Sequence, residues 1–455
     1  MDTRLHIRNK IKAERIAAIG FVAVIILGSV LLSLPISSAD GQRIAYIDAL
    51  FTATTSVCVT GLVTVPTAVQ WSGFGKGVIL CLIQIGGLGI ICVMSIAMVL
   101  VRKKITLSGR KLIRDSYNLS EMDGIVRMII KIVTGTLVVE GIGAILYMIV
   151  LVPEYGPGGI PMAIFNAVSC FCNAGMDIIG TTSLAPYVTD PLMNITTILL
   201  IILGGIGFVV WWDVLRWIRD RFLRRKKKKY RISLHSKFAL SVSAILIAAG
   251  MLLILFFDWN HPESLGNLSW PQKIMAALFQ SVTTRTAGFE TISQSSFTDA
   301  SALVSIVLMF IGGSPFGTAG GMKTTTVALV VLFAVRFIKG EEDVVVFHRK
   351  IPMQNIRTAI AIISVGLGVA LGATMLLSWV SQAGFLDVFF EIVSAIGTVG
   401  LTRGITATLP AAGKLIVIIV MYIGRLGPIT MMLALVRRGK QQKQIQYPEQ
   451  KIMIG

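Results

Sequence analysis

Hydrophobic residues fall into long runs that are separated by short polar connectors. Each of the eight clearest runs supplies roughly 20 apolar residues, enough for an α-helix to cross a bilayer. The runs cover residues 16–34, 77–101, 125–152, 191–215, 236–257, 302–335, 356–380 and 413–436. The first run loosely resembles a signal peptide, because basic residues precede it and a short SSAD sequence follows it. The repeat described below requires it as a helix. The pattern therefore predicts an all-α integral membrane protein.

Composition and charge agree with this interpretation. Of the 455 residues, 54% are hydrophobic and 14% are charged, and the mean hydropathy is +0.78. Soluble domains carry about 25% charged residues. The net charge of +19 is concentrated at the two ends and in every second connector. The positive-inside rule then predicts a multi-pass protein of the cell membrane with both termini in the cytoplasm. No nucleic-acid partner is needed to explain the charge. The basic stretches are residues 1–15, 102–131, 216–237, 336–357 and 437–451.

One of these stretches, RRKKKKYR at 224–231, contains the densest run of positive charge. We interpret it as a solvated loop next to lipid, in preference to a docking surface for an acidic partner. The five cysteines lie in apolar segments and the four histidines are scattered singly. This distribution predicts no disulfide framework, no metal site and no cofactor in this chain.

Four short, partly apolar segments end in a glycine and recur at nearly constant spacing. They cover residues 47–62, 162–176, 274–289 and 386–401, and their glycines are Gly61, Gly175, Gly288 and Gly400, at intervals of 114, 113 and 112 residues. Such a period indicates an internal repeat. We predict four tandem helix/pore-loop/helix repeats with pseudo-fourfold symmetry around one pore. The repeats are 1–110, 111–230, 231–345 and 346–455, and the last includes a cytoplasmic tail.

Two further features follow the same register. A phenylalanine precedes each glycine by nine or ten residues, and small residues recur after each one. The phenylalanines are Phe51, Phe165, Phe279 and Phe390, and the small-residue clusters begin at Gly86, Gly204, Gly312 and Gly424. For Gly86, Gly87 and Gly89, and for Gly204, Gly205 and Gly207, we favour close helix packing as the explanation.

A short helix that turns back inside a membrane leaves non-helical backbone that must be buried or line a water-filled cavity. The C-terminal end of such a helix favours a cation, and carbonyl oxygens after it can replace the hydration shell of potassium. We therefore predict a selectivity filter that holds K⁺ at its glycines. Its residues are Cys58, Val59, Thr60, Gly61, Asn173, Ala174, Gly175, Thr286, Ala287, Gly288, Thr398, Val399 and Gly400.

Two other interpretations of these turns remain open. The turns can simply pack helices together, or basic residues at the mouth can favour an anion. Arg285 and Arg403 lie near two of the turns, but nearby carboxylates outnumber them. These carboxylates are Asp48, Asp177, Glu290, Asp387 and Glu391. The balance of charge favours a cation.

The sixth run contains IGGSPFGTAGGMK at 311–323, where proline and glycine should interrupt the helix. We predict an intramembrane gate loop at 312–321, with a simple packing kink as the alternative. Arg425, a charge inside an apolar run, is expected to face this loop, where it either contacts the loop carbonyls or forms a positive barrier below the filter. Lys323 either takes part in the gate or extends its side chain toward the cytoplasm. The predicted gate residues are Gly312, Gly313, Ser314, Gly317, Thr318, Gly320, Gly321, Lys323 and Arg425.

The motifs FTATTSVCVTGL, FNAVSCFCNAG, FQSVTTRTAGF, EIVSAIGTVGLT, GGMKTTT and IGRLGP together resemble the KtrB, TrkH and HKT superfamily, and the KtrB type most. The resemblance covers nearly the whole chain. It implies potassium uptake by a homodimer in which each protomer has its own pore. It also implies a cytosolic KtrA-type regulatory ring that binds ATP or ADP, and a dependence on sodium. Glycine at all four filter positions is what the resemblance associates with potassium preference.

A secondary transporter and a membrane enzyme are the two alternative classes of function. A sodium-coupled secondary transporter with alternating access also uses broken helices and repeats, although its repeats are usually paired. A membrane enzyme would need converging catalytic groups, and the sequence offers no recurring set of that kind. We therefore predict a non-enzymatic channel-like protein.

Overall fold

The structure is a computed structural model that describes residues 2–89, 92, 93, 95, 125–222, 230–341 and 343–427. These residues are mostly helical. Most of the basic connector at 102–131, residues 224–229 of the basic run, Pro428 of the IGRLGP motif and the predicted tail lie outside the described residues.

The helices recur in the order long, short, intermediate along the chain. The first group is α1 Asp2–Leu32, α2 Tyr46–Cys58, the single turn α3 Thr67–Gln70, and α4 Gly73–Leu88. The second is α5 Ile125–Tyr155, α6 Gly159–Cys172, α7 Pro191–Ile206 and α8 Phe208–Phe222. The third is α9 Leu234–Asp258, α10 Trp270–Thr283, α11 Asp299–Phe310 and α12 Thr324–Ile338. The fourth is α13 Met353–Val380, α14 Phe385–Gly397 and α15 Ala411–Leu426.

Short elements complete the connections. A two-stranded antiparallel hairpin, β1 Val345–Val346 and β2 Arg349–Lys350, joins α12 to α13 and pairs Val345 with Lys350. A π-helical turn covers Pro262–Gly266. Single 3₁₀ turns cover Pro35–Ser37, Gly156–Gly158, Ala185–Tyr187, Gln294–Ser296 and Thr406–Thr408.

The long helix of each group is the part of the chain best suited to cross a membrane. Among the described residues, the stretches Arg15–Leu32, Val126–Cys172, Leu234–Asp258 and Met353–Val380 are long and apolar enough to do so. Many of their side chains are exposed on the protein surface, including Ile19, Ile145 and Leu371. Apolar side chains in such positions suit contact with lipid. The predicted membrane protein is therefore confirmed at the level of its spanning helices.

The short helices α2, α6, α10 and α14 form the centre of the molecule. The phenylalanine that recurs in the sequence register is at most 2% exposed in every one of them. Each of these helices has 13 or 14 residues, too few to cross a bilayer. The four segments predicted to be re-entrant are thus short helices buried within a shell of longer ones.

The sequence analysis predicted that the second apolar run of the first, second and fourth repeats forms one continuous helix, and this prediction is wrong. The runs at 77–101, 191–215 and 413–436 stop being helical at Gly89, Gly207 and Gly427, where φ is 82°, 97° and 85°. These angles suit glycine and are strained for other residues. At Gly207 the chain bends by 103° between α7 and α8. The run at 302–335 is interrupted between Phe310 and Thr324. Among the described residues, a break followed by another helix occurs in the second and third groups, whereas the sequence analysis assigned an interruption to the third alone.

Close packing does explain other glycines of these runs. Methyl groups added at Gly86, Gly204 and Gly424 would collide with the backbone carbonyls of Val57, Phe171 and Ile396, respectively, near the C-terminal ends of α2, α6 and α14. Gly312, in contrast, packs against the carbonyl of Gly320 in its own loop. The small residues therefore let three of the inner helices pass directly beneath the short helices.

This packing predicts a large difference between two glycines of α4. A Gly86→Ala substitution forces a methyl group against the Val57 carbonyl, and overpacking of this kind costs about 1–3 kcal/mol. Gly77 has no neighbour within 4 Å, so Gly77→Ala gains helix propensity without a clash. Thermal unfolding of the detergent-solubilised protein, followed by tryptophan fluorescence, should show a midpoint lowered by Gly86→Ala and preserved or raised by Gly77→Ala. Equal midpoints would contradict the packing.

Candidate cation-conducting site

Each short helix leads into a turn with left-handed backbone. The residues that cap α2, α6 and α14 are Val59, Asn173 and Thr398, with φ of 56°, 60° and 50°. After α10 the corresponding residue is Thr286, with φ of 73°. The predicted filter glycine follows two residues later in all four turns. Its φ is 102° at Gly61, 66° at Gly175, 79° at Gly288 and 95° at Gly400.

Hydroxyl side chains of the short helices hold these turns in place. Thr55 Oγ1 accepts a hydrogen bond from the Gly61 N–H at 2.9 Å, and Ser394 Oγ accepts one from the Gly400 N–H at 3.1 Å. Ser169 Oγ accepts one from the Met176 N–H at 3.2 Å, and Thr283 Oγ1 donates to the Phe289 carbonyl at 2.5 Å. Sequence reasoning missed these residues. Their signal was a hydroxyl five or six residues before each glycine.

The four glycines approach one another in cyclic order. A Cβ built on Gly61 would lie 2.7 Å from the carbonyl oxygen of Ala174, and one built on Gly175 would lie 2.7 Å from that of Ala287. Gly288 and Gly400 contact the carbonyls of Val399 and Thr60 in the same way. The turns therefore form a closed ring of backbone, and a side chain at any of these glycines would disrupt it.

Buried polar oxygens without a protein partner lie in every one of the four turns. They are Thr60 Oγ1, Asn173 Oδ1, Thr286 Oγ1 and Thr398 Oγ1. Most buried polar atoms find a hydrogen-bond partner in native structures. Three of these atoms are hydroxyls, which can donate as well as accept, so all four turns offer oxygen atoms to a bound cation or to its hydration water.

A cavity of about 190 Å³ opens on one side of the ring. The four glycines line it together with Asp177, Glu290 and Thr402. Other carboxylates that the sequence analysis placed near this mouth lie elsewhere. Asp48 and Asp387 are paired with Lys414 and Arg403 at 2.6 Å, and the buried Glu391 accepts hydrogen bonds from Thr402 and Thr406. The charge that remains on the cavity wall is acidic.

The interrupted segment between α11 and α12 packs against the other side of the turns. Thr318 Oγ1 accepts a hydrogen bond from Asn173 Nδ2 at 3.2 Å and donates one to the Phe171 carbonyl at 3.0 Å. Gly320 lies directly against the Thr398 side chain. The segment is tied at its base by a bridge between Ile311 and Met322. The predicted gate residues from Gly312 to Gly321 therefore form a loop in contact with two of the four turns.

Two basic side chains, Arg425 and Lys323, hold this loop by donating hydrogen bonds to its backbone carbonyls. Arg425 donates to the Thr318 carbonyl at 2.5 Å and also to the carbonyls of Gly86 and Gly87 in α4. The predicted contact of Arg425 with the loop is present, and it also joins α15 to α4. Lys323 Nζ donates to the Ala319 carbonyl at 2.7 Å, so its head group turns back into the loop.

Arg285 is not at the mouth of the cavity, which corrects the sequence analysis. It is 9% exposed, and its guanidinium donates to Ser243 Oγ of α9 at 3.1 Å. It lines a small separate cavity together with Gly205 and Gly313. Arg285 precedes the left-handed Thr286, and its side chain extends toward α9 and away from the cavity that the four glycines line. Arg285 therefore does not argue for an anion pore.

A buried carboxyl behind the second turn was also missed. Glu140 of α5 is 5% exposed and accepts a hydrogen bond from Gln84 Nε2 of α4 at 3.2 Å. The Cys172 thiol at the end of α6 lies 3.6 Å from Gln84 Oε1. Glu140 is the only charged residue between Lys131 and Glu154, which is an available sequence signal, since an ionisable group at such a position usually has a polar partner.

The fold and the site define a membrane protein whose centre is a ring of backbone turns, with an acidic cavity on one side and a loop on the other. Such a centre is suited to binding and passing cations. The chain belongs to the TrkH family of cation transport proteins, whose family description matches residues 5–447.

Curated relatives place the chain within this family in more detail. It is 38% identical to the potassium/sodium uptake protein NtpJ of Enterococcus hirae, over 99% of each chain. It is 37% identical to the Ktr system potassium uptake protein B of Bacillus subtilis, over 97% of this chain and 96% of that one. The corresponding protein of Vibrio alginolyticus is 36% identical, over 98% and 96%. The resemblance to the KtrB type is confirmed.

A solved structure supports the fold. The crystal structure of the potassium transporter TrkH from Vibrio parahaemolyticus matches with a TM-score of 0.70 and 19% sequence identity. The match covers 92% of this chain and 84% of that chain. The two proteins share an architecture despite their low identity.

The hydrogen bond from the Gly400 N–H to Ser394 Oγ predicts that removal of this hydroxyl lowers ion selectivity. Ser394→Ala removes the acceptor of the Gly400 N–H, a contribution of about 1 kcal/mol, and should lower monovalent-cation discrimination several-fold in liposome flux assays. Ser394→Thr keeps the hydroxyl that Thr55 and Thr283 supply in other turns, and should restore discrimination. If both variants discriminate like the parent protein, the hydroxyl does not brace the turn.

Proposed function

We propose that this chain takes up potassium across the cell membrane through a channel-like pore in which carbonyl oxygens of the four turns coordinate the ion. The observation that carries the proposal is the ring of Gly61, Gly175, Gly288 and Gly400, in which each glycine packs against the backbone of the next turn. Carbonyls held at such a close approach can replace the water around K⁺. The names of the Enterococcus hirae and Bacillus subtilis relatives, both uptake proteins for potassium, agree with this assignment.

The ring also supports a symmetric arrangement of the chain. We assign the repeats to 1–110, 111–230, 231–345 and 346–455, related by pseudo-fourfold symmetry around the pore. In this arrangement each short helix directs its C-terminal carbonyls toward the axis, where they favour a cation. Asp177 and Glu290 on the wall of the mouth cavity then concentrate cations ahead of the filter.

The loop between α11 and α12 serves as the gate. It lies against the ends of α6 and α14, beneath the filter, and Arg425 and Lys323 hold its carbonyls. Opening therefore requires these charged hydrogen bonds to break or to exchange partners. A positive charge beneath the filter also opposes cation passage as long as it stays there.

Regulation is assigned to other polypeptides. The resemblance to the KtrB type supports a homodimer and a cytosolic KtrA-type ring that carries ATP or ADP, docked on the basic cytoplasmic connectors. Both termini are then cytoplasmic. Sodium dependence belongs to the same assignment, and the relative named as a potassium/sodium uptake protein agrees with it.

A sodium-coupled transporter with alternating access is the alternative. The broken inner helices favour it, because such transporters place their binding sites at helix breaks. Flux that saturates and carries a fixed ratio of sodium to potassium would support this mechanism. A pore predicts potassium flux without added sodium once the gate is removed.

The filter assignment predicts the effect of one substitution. Gly61→Ser places a side chain against the Ala174 carbonyl at a φ of 102°, so the ring should widen and the ratio of potassium to sodium flux should fall roughly tenfold, the factor of about 1.4 kcal/mol. Gly41→Ser is the matched control, because Gly41 also has positive φ but has no neighbour within 4 Å. A selectivity that survives Gly61→Ser in folded protein would rule out the ring as the filter.

The gate assignment predicts higher flux when the loop is released. Arg425→Ala removes charged hydrogen bonds, each worth about 1.5–3 kcal/mol, and should raise potassium flux into liposomes roughly tenfold. A shorter linker in place of residues 312–321 should raise it further. Arg357→Ala, which removes an exposed arginine of α13, should leave flux unchanged. If the shortened loop gives no increase, the loop is not the barrier.

A further inference from the structure

The helix α8 has an orientation unlike that of the spanning helices. It follows α7 after a bend of 103° at Gly207. Because α7 is apolar along most of its length and is expected to lie within the membrane, a helix nearly perpendicular to it is expected to extend along the membrane surface. The side chain of Trp211 fixes the corner by donating to the Leu203 carbonyl at 2.8 Å and by packing edge-on against Phe171.

One face of α8 is tied to the protein. Asp213 is 8% exposed and accepts hydrogen bonds from Tyr230 at 2.7 Å and from Ser236 Oγ at 2.6 Å. Ser236 lies in the first turn of α9. The opposite face therefore points away from the body of the protein.

That opposite face carries exposed apolar side chains. Leu215, Ile218 and Phe222 follow one another at helical spacing and are 49%, 39% and 80% exposed. Exposed arginines, Arg219 and Arg221, lie on either side of this apolar stripe. A helix with an apolar stripe flanked by basic residues is typical of helices that lie in the membrane interface.

We propose that this face of α8 binds the headgroups of anionic phospholipids. The apolar stripe enters the acyl region, and Arg219 and Arg221 then reach the phosphate level, where each basic residue gains attraction from anionic lipid. The sequence immediately after α8, the run at 224–231, is also positively charged. Anionic lipid complements this charge, whereas uncharged lipid does not.

The lipid site is connected to the loop between α11 and α12 by backbone hydrogen bonds. The N–H of Phe208, the first residue of α8, donates to the Phe316 carbonyl of the loop at 3.0 Å. In return, the N–H groups of Ser314 and Thr318 donate to the carbonyls of Gly205 and Gly204 at 2.9 and 3.1 Å. A lipid that fixes α8 therefore also fixes the loop beneath the turns. This coupling rests on the gate role proposed above, and it predicts that anionic lipid lowers flux.

The test compares the parent protein with an Arg219→Gln/Arg221→Gln variant. Binding of phosphatidylglycerol to the full-length protein is measured by native mass spectrometry. Each arginine is worth about a fivefold change in affinity for an anionic surface, so the variant should bind roughly 25-fold more weakly. The matched control, Arg349→Gln/Arg357→Gln, removes two exposed charges from β2 and α13 and should bind like the parent.

Potassium flux provides the second measurement. In liposomes of phosphatidylcholine with added phosphatidylglycerol, parent flux should fall below its value in phosphatidylcholine alone, and the α8 variant should show equal flux in both. Unchanged lipid binding by the α8 variant would overturn the site, as would loss of regulatory-subunit binding instead of lipid binding. If the α8 variant binds phosphatidylglycerol more weakly but its potassium flux still falls when this lipid is added, the coupling between α8 and the loop is overturned. Lipid binding without any flux would contradict the proposed function and leave the lipid site intact.

Discussion

Backbone that leaves a helix inside a bilayer has no water to hydrogen-bond, so every N–H and C=O must find a partner within the protein or coordinate a ligand. This chain meets that requirement in the same way at four turns. A residue two positions before each filter glycine turns left-handed, a hydroxyl from the short helix braces the turn, and backbone carbonyls of each turn pack against the glycine of a neighbouring turn. A cation is the natural ligand for those carbonyls.

The same constraint explains how the rest of the molecule is arranged. The inner helices stop at Gly89, Gly207 and Gly427, and their free carbonyls become acceptors for other groups. Those at the ends of α4 and α7 bind Arg425 and the N–H groups of the loop. Filter, loop and helix breaks therefore form one hydrogen-bonded network. A movement of the loop requires new partners for several groups at once, which favours a small number of discrete states.

Much of this centre was predictable from the sequence, because the constraint acts locally and repeats. Glycine at Gly61, Gly175, Gly288 and Gly400, with a buried phenylalanine ahead of each, identified the short helices and their turns. The interrupted run at 311–323 and the contact of Arg425 were predictable because proline, glycine clusters and a lone charge are all costly inside an apolar helix. The hydroxyls Thr55, Ser169, Thr283 and Ser394 were visible in the same register.

Other features depend on three-dimensional context that spacing does not encode. A glycine that ends a helix and a glycine that permits close packing look alike within an apolar run, so Gly89 was misassigned, whereas Gly86 and Gly204 were assigned correctly. Gly207 does both, because it ends α7 and also packs against the Pro315 carbonyl. The orientation of Arg285 depends on its partner Ser243, which lies 42 residues earlier in the sequence. The use of Asp48, Asp387 and Glu391 as partners within the protein likewise depends on groups far away in the sequence.

The most direct test of the central claim is to locate a permeant heavy cation. Thallium diffused into the membrane-reconstituted protein, and located by anomalous diffraction or by difference density, is predicted to lie on the axis of the ring between Gly61, Gly175, Gly288 and Gly400, coordinated by backbone oxygens. Thallium bound only at carboxylates such as Glu140 or Asp177, with the ring unoccupied, would contradict the account.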